Sequence, residues 1–185
     1  MTIPPIRDLD TPRLLLRVCR LEDSEAVFAA ERDSIAELRR WFWWVHPEHK
    51  REHCVAWAKS RPEAWSKGEE FSFLVTDKTD GRIVGCIWLN AVDRIALRAS
   101  LGYWLRTGCE GHGLATEAAQ AVVRWAFQEL DFQRIELVLA VENQRSRQLA
   151  ERIGARFEGV ARCRLRVNQL SQDARIYSLL PGEVK

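Results

Sequence analysis

Glu110-Gly111-His112-Gly113-Leu114-Ala115-Thr116-Glu117 runs without a break into an apolar stripe, Leu114, Ala118, Ala121, Val122, Trp125 and Ala126, that recurs at the helix period to about Glu129. Residues 98–106 just before it read as a strand, so the two glycines mark a strand-to-helix junction. At such a junction the first helical turn has unpaired backbone N–H groups and the positive end of the helix dipole, and glycine lets an anion approach that backbone closely. A phosphate or pyrophosphate suits it. The spacing is not G-x-x-x-x-G-K-[ST], and Leu-Ala-Thr follows G-x-G where a dinucleotide fingerprint has a third glycine, which weighs against P-loop, kinase and nicotinamide chemistry. The plain alternative is a tight turn that binds nothing.

Upstream, residues 11–20 form a short apolar run flanked by arginines, suited to a first strand, and Asp23 or Ser24 offers an N-cap for a helix to about Glu31. Helical spacing from 34 to 61 is broken at His46-Pro47, since a proline pushes the residue before it out of the α region, which gives two helices with a tryptophan cluster between them. Phe71, Phe73 and Val75 alternate with polar residues, and Thr79-Asp80-Gly81-Arg82 supplies a turn before residues 83–89, so an antiparallel hairpin is expected. Downstream, Ile135, Leu137, Leu139 and Val141 alternate as a strand. Ser146, Leu149, Ala150 and Ile153 make a second helical stripe ending at Gly154, and strands near 156–167 and 173–180 close the chain. The order β α α β β β α β α β β is α/β mixed with antiparallel pairs, not the strict alternation of a doubly wound fold.

A length of 185 residues favours one domain, and 46% apolar with 29% charged residues is ordinary globular usage. Lys plus Arg is 28 and Asp plus Glu 26, a net charge of +2, without the excess that a nucleic-acid or acidic-membrane binder carries. Five cysteines, widely spaced and without C-x-x-C, fit free thiols in a reducing cytoplasm better than a disulfide framework or a zinc ribbon. Neither a signal peptide nor a membrane span is expected from the hydropathy pattern.

Asn143 and Ser146 follow the strand that ends near Val141, and Asn143 is a credible N-cap. Ligands of α/β proteins gather at the carboxyl ends of parallel strands, and both this pair and the glycine turn lie at such ends. Two sites on one rim suggest one ligand.

Leu101-Gly102-Tyr103-Trp104-Leu105, followed by Gly111-His112-Gly113-Leu114-Ala115-Thr116-Glu117-Ala118, resembles the acetyl-CoA-binding motif of the GNAT superfamily of N-acetyltransferases. Asn143-x-x-Ser146 and the segment from Glu151 through Gly154 to Gly159 resemble it too. The opening Thr11-x-Arg13-Leu14-x-Leu16-Arg17 and the closing Tyr177-Ser178-Leu179-Leu180 are similar to the branch that acetylates N-terminal alanine or serine of ribosomal proteins. These matches keep the family's order from about residue 11 to 183.

The resemblance implies an α/β (α+β) fold, a mostly antiparallel sheet of about seven strands splayed between strands 4 and 5 and flanked by helices, with residues 1–185 a single acyl-CoA N-acyltransferase domain. Acetyl-CoA would be the cosubstrate, lodged in the V-shaped opening, with no metal. The turn Gly111, His112, Gly113, Leu114, Ala115 and Thr116 would cradle the pyrophosphate, Trp104, Leu105 and Arg106 would pair with the pantetheine, and Asn143 and Ser146 would sit near the reactive end. The Leu105 amide would stabilise the thioester carbonyl, and Ser146 would either protonate the departing thiolate or only bind the cofactor. Tyr177 is a second phenol for that role or a core residue. The acceptor would be a primary amine, either a protein N-terminus or a small molecule such as an antibiotic or polyamine; a homodimer is compatible.

Two positions depart from the family pattern. Glu110 puts a carboxylate near the phosphate cradle, and Ser100 replaces an acidic residue that serves as a base candidate in relatives, which leaves Glu31, Asp93, His46 or an ordered water as base. These departures also leave room for a non-catalytic acyl-CoA sensor. Trp41, Trp43 and Trp44 either shape an acceptor pocket for an apolar or cationic group or pack as core. Arg39 and Arg40 read best as a solvated helix face. His49 and His53, four apart beside Cys54, lack a third metal ligand at suitable spacing.

Overall fold

The structure, a computed structural model, describes residues 3–45 and 48–185; His46 and Pro47, and with them one of the base candidates, lie outside the described residues. Thr11 accepts the Leu14 N–H on its hydroxyl and donates its own N–H to the Leu14 carbonyl, both at 3.0 Å. This tight turn pairs two short strands, β1 (Leu9–Asp10) and β2 (Leu14–Arg17), where the sequence suggested one strand over 11–20. A 3-10 turn at Leu21–Asp23 leads into α1 (Ser24–Asp33), then α2 (Ile35–Trp41) and α3 (Arg51–Lys67). Asp23 stands at the cap position of α1 but makes no side-chain cap bond. Its carboxylate takes both terminal nitrogens of Arg17 at 2.7 Å and the Arg20 amide at 2.8 Å, so it ties β2 to the helix start. Helix α3 continues past Arg61 through Pro62 and stops where Gly68 adopts φ +60°, the left-handed conformation that ends helices.

β3 (Phe71–Asp77) and β4 (Ile83–Asp93) form the expected hairpin, followed by β5 (Arg98–Leu105), α4 (Leu114–Glu129), β6 (Arg134–Ala140), α5 (Gln144–Arg152), β7 (Arg156–Val167) and β8 (Leu170–Leu179). The described residues make one eight-stranded sheet in the order β1-β2-β3-β4-β5-β6-β8-β7, one strand more than expected because of β1. All neighbours are antiparallel except β5 and β6, which pair in parallel over only Arg98–Ser100 and Arg134–Glu136. Beyond Ser100 the two strands separate. This is the anticipated splay, carried one number along by β1.

The alternation of strand side chains sorts the core onto two faces. Phe71, Phe73 and Val75 pack with the buried face of α4, where Trp125 meets Phe71 and Phe73 edge-on at ring separations of 5.6 and 5.3 Å. Leu74, Cys86 and Trp104 face the other way and pack with Val27, Leu38 and Cys54 of α1 to α3. Ser100, Gly102 and Trp104 of β5 therefore share the α1–α3 face, whereas Leu101, Tyr103 and Leu105 share the α4 face.

Candidate active site

Gly111 and Gly113 have φ of +83° and +77°, a region that L side chains avoid, so the turn into α4 requires glycine for its backbone. A Cβ at Gly111 would meet nothing within 4 Å, which leaves that backbone open to an approaching group. The first bond of the helix runs from the Glu117 N–H to the Gly113 carbonyl, so the amides of Leu114, Ala115 and Thr116 precede the helical ladder. The turn is braced from β2. Arg13 donates to the His112 carbonyl (2.8 Å), and its amide and Nε donate to Glu117 at 2.8 and 2.7 Å, beside a 2.7 Å bond from the Thr11 hydroxyl. Burial alone pushes the Glu117 carboxyl up, but these donors outweigh it and hold it below its ordinary range. The Thr11 and Arg13 signature thus acts on the glycine turn, a link that spans 104 residues. Glu110 is turned aside: its carboxylate accepts the Gly108 amide at 2.7 Å and lies 3.3 Å from Arg145.

On β5 the Arg106 N–H donates to Val84 at 2.7 Å, so Arg106 and, by alternation, Trp104 direct their backbone groups at β4. Leu101, Tyr103 and Leu105 direct theirs at β6, which has already moved away. Of the three residues expected to pair with pantetheine, Leu105 alone offers its amide to the opening. Arg106 engages Asp33 through its guanidinium, and Trp104 contributes a buried indole to the wall.

Asn143 caps α5 by accepting the Ser146 amide at 3.0 Å. The Ser146 hydroxyl lies 3.2 Å from the Tyr103 hydroxyl, a contact between α5 and β5 across the splay. Burial pushes the Tyr103 phenol up, so it stays protonated and able to donate. Tyr103 carried no role in the sequence reading, although its register with Leu105 places it on the edge that faces the opening. Tyr177 is not part of this constellation: its hydroxyl donates to Glu151 at 3.3 Å and its ring packs on Phe157.

One cavity of about 1360 Å³ runs through the splay, touching Tyr103, Trp104, Asn143 and Ser146 on one side and the α1–α3 layer on the other. The glycine turn lies outside it, in a separate groove of about 1010 Å³ that Gly111, Gly113 and Thr116 share with Arg13. Six of the eight tryptophans line the larger cavity, Trp41, Trp43 and Trp44 among them. Trp43 is 70% exposed, whereas Trp44 packs with Phe42 at the cavity edge, so the cluster belongs to the pocket wall more than to the core. Asn168, at the β7–β8 tip, donates to the Arg39 carbonyl at 3.0 Å and brings the hairpin over this pocket. Arg40 is exposed beside Glu37, as a solvated face would be.

Glu31, His49 and Cys54 each bring one donor atom to a cluster within 4.8 Å, a third group supplied from α1 rather than from near His53. His53 turns back to accept the Lys50 N–H. The His49 Nε2 to Glu31 Oε2 separation of 2.6 Å is a hydrogen bond, shorter than the roughly 3.3 Å between two donors on a tetrahedral zinc. Asp93 lies elsewhere: its carboxylate caps the amides of Ile95 and Ala96, which holds it below the usual carboxylate range.

The description "Acetyltransferase (GNAT) domain" matches residues 13–156. The chain belongs to this GNAT family. It is 40% identical over 104 residues to YdaF of Bacillus subtilis, provisionally named a ribosomal N-acetyltransferase; the match covers 56% of this chain, which spans 57% of that relative's length. A Vibrio cholerae structure, provisionally called a ribosomal-protein-serine acetyltransferase, superposes with a TM-score of 0.84 over 98% of this chain and all of that one, at 28% identity. RimL, the ribosomal L7/L12 α-N-protein acetyltransferase solved with coenzyme A, has the same fold, with a TM-score of 0.88 over 94% of this chain and 98% of that chain at 20% identity. The GNAT match takes in the Arg13 brace, the glycine turn and the Asn143–Ser146 helix start. No helix among the described residues is long and apolar enough to cross a membrane.

Proposed function

We propose that this GNAT chain transfers the acetyl group of acetyl-CoA to a primary amine, the α-amine of a protein N-terminus being the first acceptor to test. The observation that carries the reading is the splay: past Ser100 the Leu105 N–H faces an opening that β6 has left, the Tyr103 and Ser146 hydroxyls meet across it, and the glycine turn follows the end of β5. These residues fit the cofactor. The open backbone at Gly111 and the leading amides of α4 suit a pyrophosphate, and the unpaired β5 edge suits the amides of a pantetheine arm.

When bound, acetyl-CoA supplies an activated thioester carbonyl. The Leu105 N–H would donate to the oxygen as negative charge develops on it, an interaction that strengthens in the transition state. Ser146 would give a proton to the leaving sulfur, and Tyr103, 3.2 Å away, would orient that hydroxyl and replace its proton. The reaction needs no covalent nucleophile and no metal. A cytoplasmic setting fits the free state of all five cysteines.

The names of relatives that act on ribosomal proteins support an N-terminal acceptor. The tryptophan-lined cavity favours a second reading, a small-molecule amine such as a polyamine, since aromatic faces attract alkylammonium groups. Mass spectrometry of acetylated products decides between them, using acetyl-CoA with peptides that begin in alanine or serine and with small amines such as spermidine. Acetylation of the peptide α-amine supports the first reading and of the small amine the second. Absence of any acetylated product, in a protein that binds acetyl-CoA, would favour a non-catalytic sensor.

A further inference from the structure

The reaction needs a neutral amine, yet a primary amine arrives mostly as an ammonium, and the fold puts a buried carboxylate on the wall of the tryptophan-lined cavity. Glu31, on α1, is 7% exposed and lines the cavity shared with Ser146. Two donors hold it: His49 Nε2 at 2.6 Å and the Cys54 thiol at 3.0 Å. Burial pushes the Cys54 thiol up, so Cys54 remains an S–H donor rather than a competing thiolate. Both contacts fall on Oε2, and Oε1 has no hydrogen bond to any described residue. Phe42, Trp44 and Trp88 line the same cavity, with the Trp44 ring 6.2 Å from that of His49, and supply aromatic surface, the class that attracts an alkylammonium.

We infer that Glu31 is the proton acceptor of the amine, with His49 and Cys54 as positioning residues that fix its orientation through Oε2. This rests on the transferase reading above and adds the step that reading lacks. R–NH3+ gives one proton to Glu31 Oε1, becoming R–NH2 while Glu31 becomes a neutral carboxylic acid. The nitrogen lone pair then forms the C–N bond as the C–S bond breaks, the sulfur takes a proton from Ser146, and the nitrogen's surplus proton returns to Ser146 through Tyr103 or water. Glu31 finally releases its proton to solvent through the open cavity. Other titratable and charged groups facing the compartment are the Cys86 thiol and the Tyr103 phenol, both pushed up by burial, His53, the guanidinium groups of Arg39, Arg164 and Arg166, and the Arg61–Glu70 pair, whose charges satisfy each other.

The test compares wild type with Glu31→Gln, which keeps the shape, and Glu31→Asp, which keeps the charge but draws it back. Binding of n-butylammonium chloride is read from tryptophan fluorescence against 1-butanol as the neutral control, and thiol release from acetyl-CoA with n-butylamine is followed against pH. Wild type should prefer the ammonium, Glu31→Gln should lose that preference, and Glu31→Asp should fall between. Thiol release in Glu31→Gln should drop by about 100-fold near neutral pH and recover as pH rises toward the amine's own pKa. An unchanged acetyl-CoA-induced rise in melting temperature in both variants shows that fold and cofactor site are intact. Equal ammonium preference in Glu31→Gln and wild type, no such preference in wild type, or an unchanged pH profile would overturn the assignment. If wild type prefers the ammonium yet releases no thiol, the transferase reading fails instead, and the binding comparison alone decides whether Glu31 receives the amine.

Discussion

Ser146 and Gly113 carry the sharpest consequences for single side chains. Ser146→Ala removes the hydroxyl that faces Tyr103 but leaves the Ser146 amide bonded to Asn143, so the start of α5 should survive. Turnover should fall by about 100-fold while acetyl-CoA affinity changes little; steady-state kinetics with a binding isotherm checks this, and equal losses would make Ser146 a binding residue only. Gly113→Val forces a branched side chain into φ +77° and crowds the cradle. Gly182→Val is its control, with φ +87°, open space around the Cβ position and a site near the C-terminus. Both should lose about 1–3 kcal/mol of stability, and only Gly113→Val should also lose the acetyl-CoA thermal shift. Gly111, Gly113, Asn143 and Ser146 were legible because turn and cap chemistry is written in adjacent residues. Tyr103 with Ser146, and Glu31 with His49 and Cys54, were not, since those contacts join residues 43, 18 and 23 positions apart and depend on how strand and helix faces meet.

At the scale of elements, α4 was readable nearly to the residue because a sixteen-residue amphipathic stripe leaves one solution. The β1–β2 turn was not, because it depends on Thr11 folding onto Leu14, and two-residue strands carry no periodicity. The turn matters to the site through Arg13. Arg13→Ala strips the Nε donor from the partly buried Glu117 and the brace from the His112 carbonyl, and should lower stability by about 1–3 kcal/mol and weaken acetyl-CoA binding together; denaturant unfolding and a cofactor titration read the two effects. The β7–β8 hairpin should act on the other substrate. Asn168→Ala frees its tip from Arg39 and should raise KM for the amine without moving that for acetyl-CoA, as initial rates at varied amine would show.

Across the whole molecule, the acid side of the stability curve should report how the far half of the sheet is fastened. Arg134 on β6 and Ser178 on β8 both donate to Glu158 on β7, which pulls its carboxyl from 4.5 to about 2. A carboxyl lowered on folding stabilises the protein above its unfolded value, so this contribution is full above about 4.5 and fades as pH falls toward about 2. Glu158→Gln should flatten that part of the urea-midpoint profile. Added salt should shrink the difference, since Glu158 is 41% exposed. The general architecture was legible because periodicity fixes which residues are strands; the place of the splay came from family resemblance, as no local pattern marks where β6 leaves β5.

Thermal unfolding with and without saturating acetyl-CoA tests the central claim, that the opening between β5 and β6 holds this cofactor, most directly. At 100 times its dissociation constant the cofactor should stabilise the fold by about 2.7 kcal/mol, a rise of about 5–10 °C in Tm for a chain of this size. A melting curve that does not move at millimolar acetyl-CoA would contradict it.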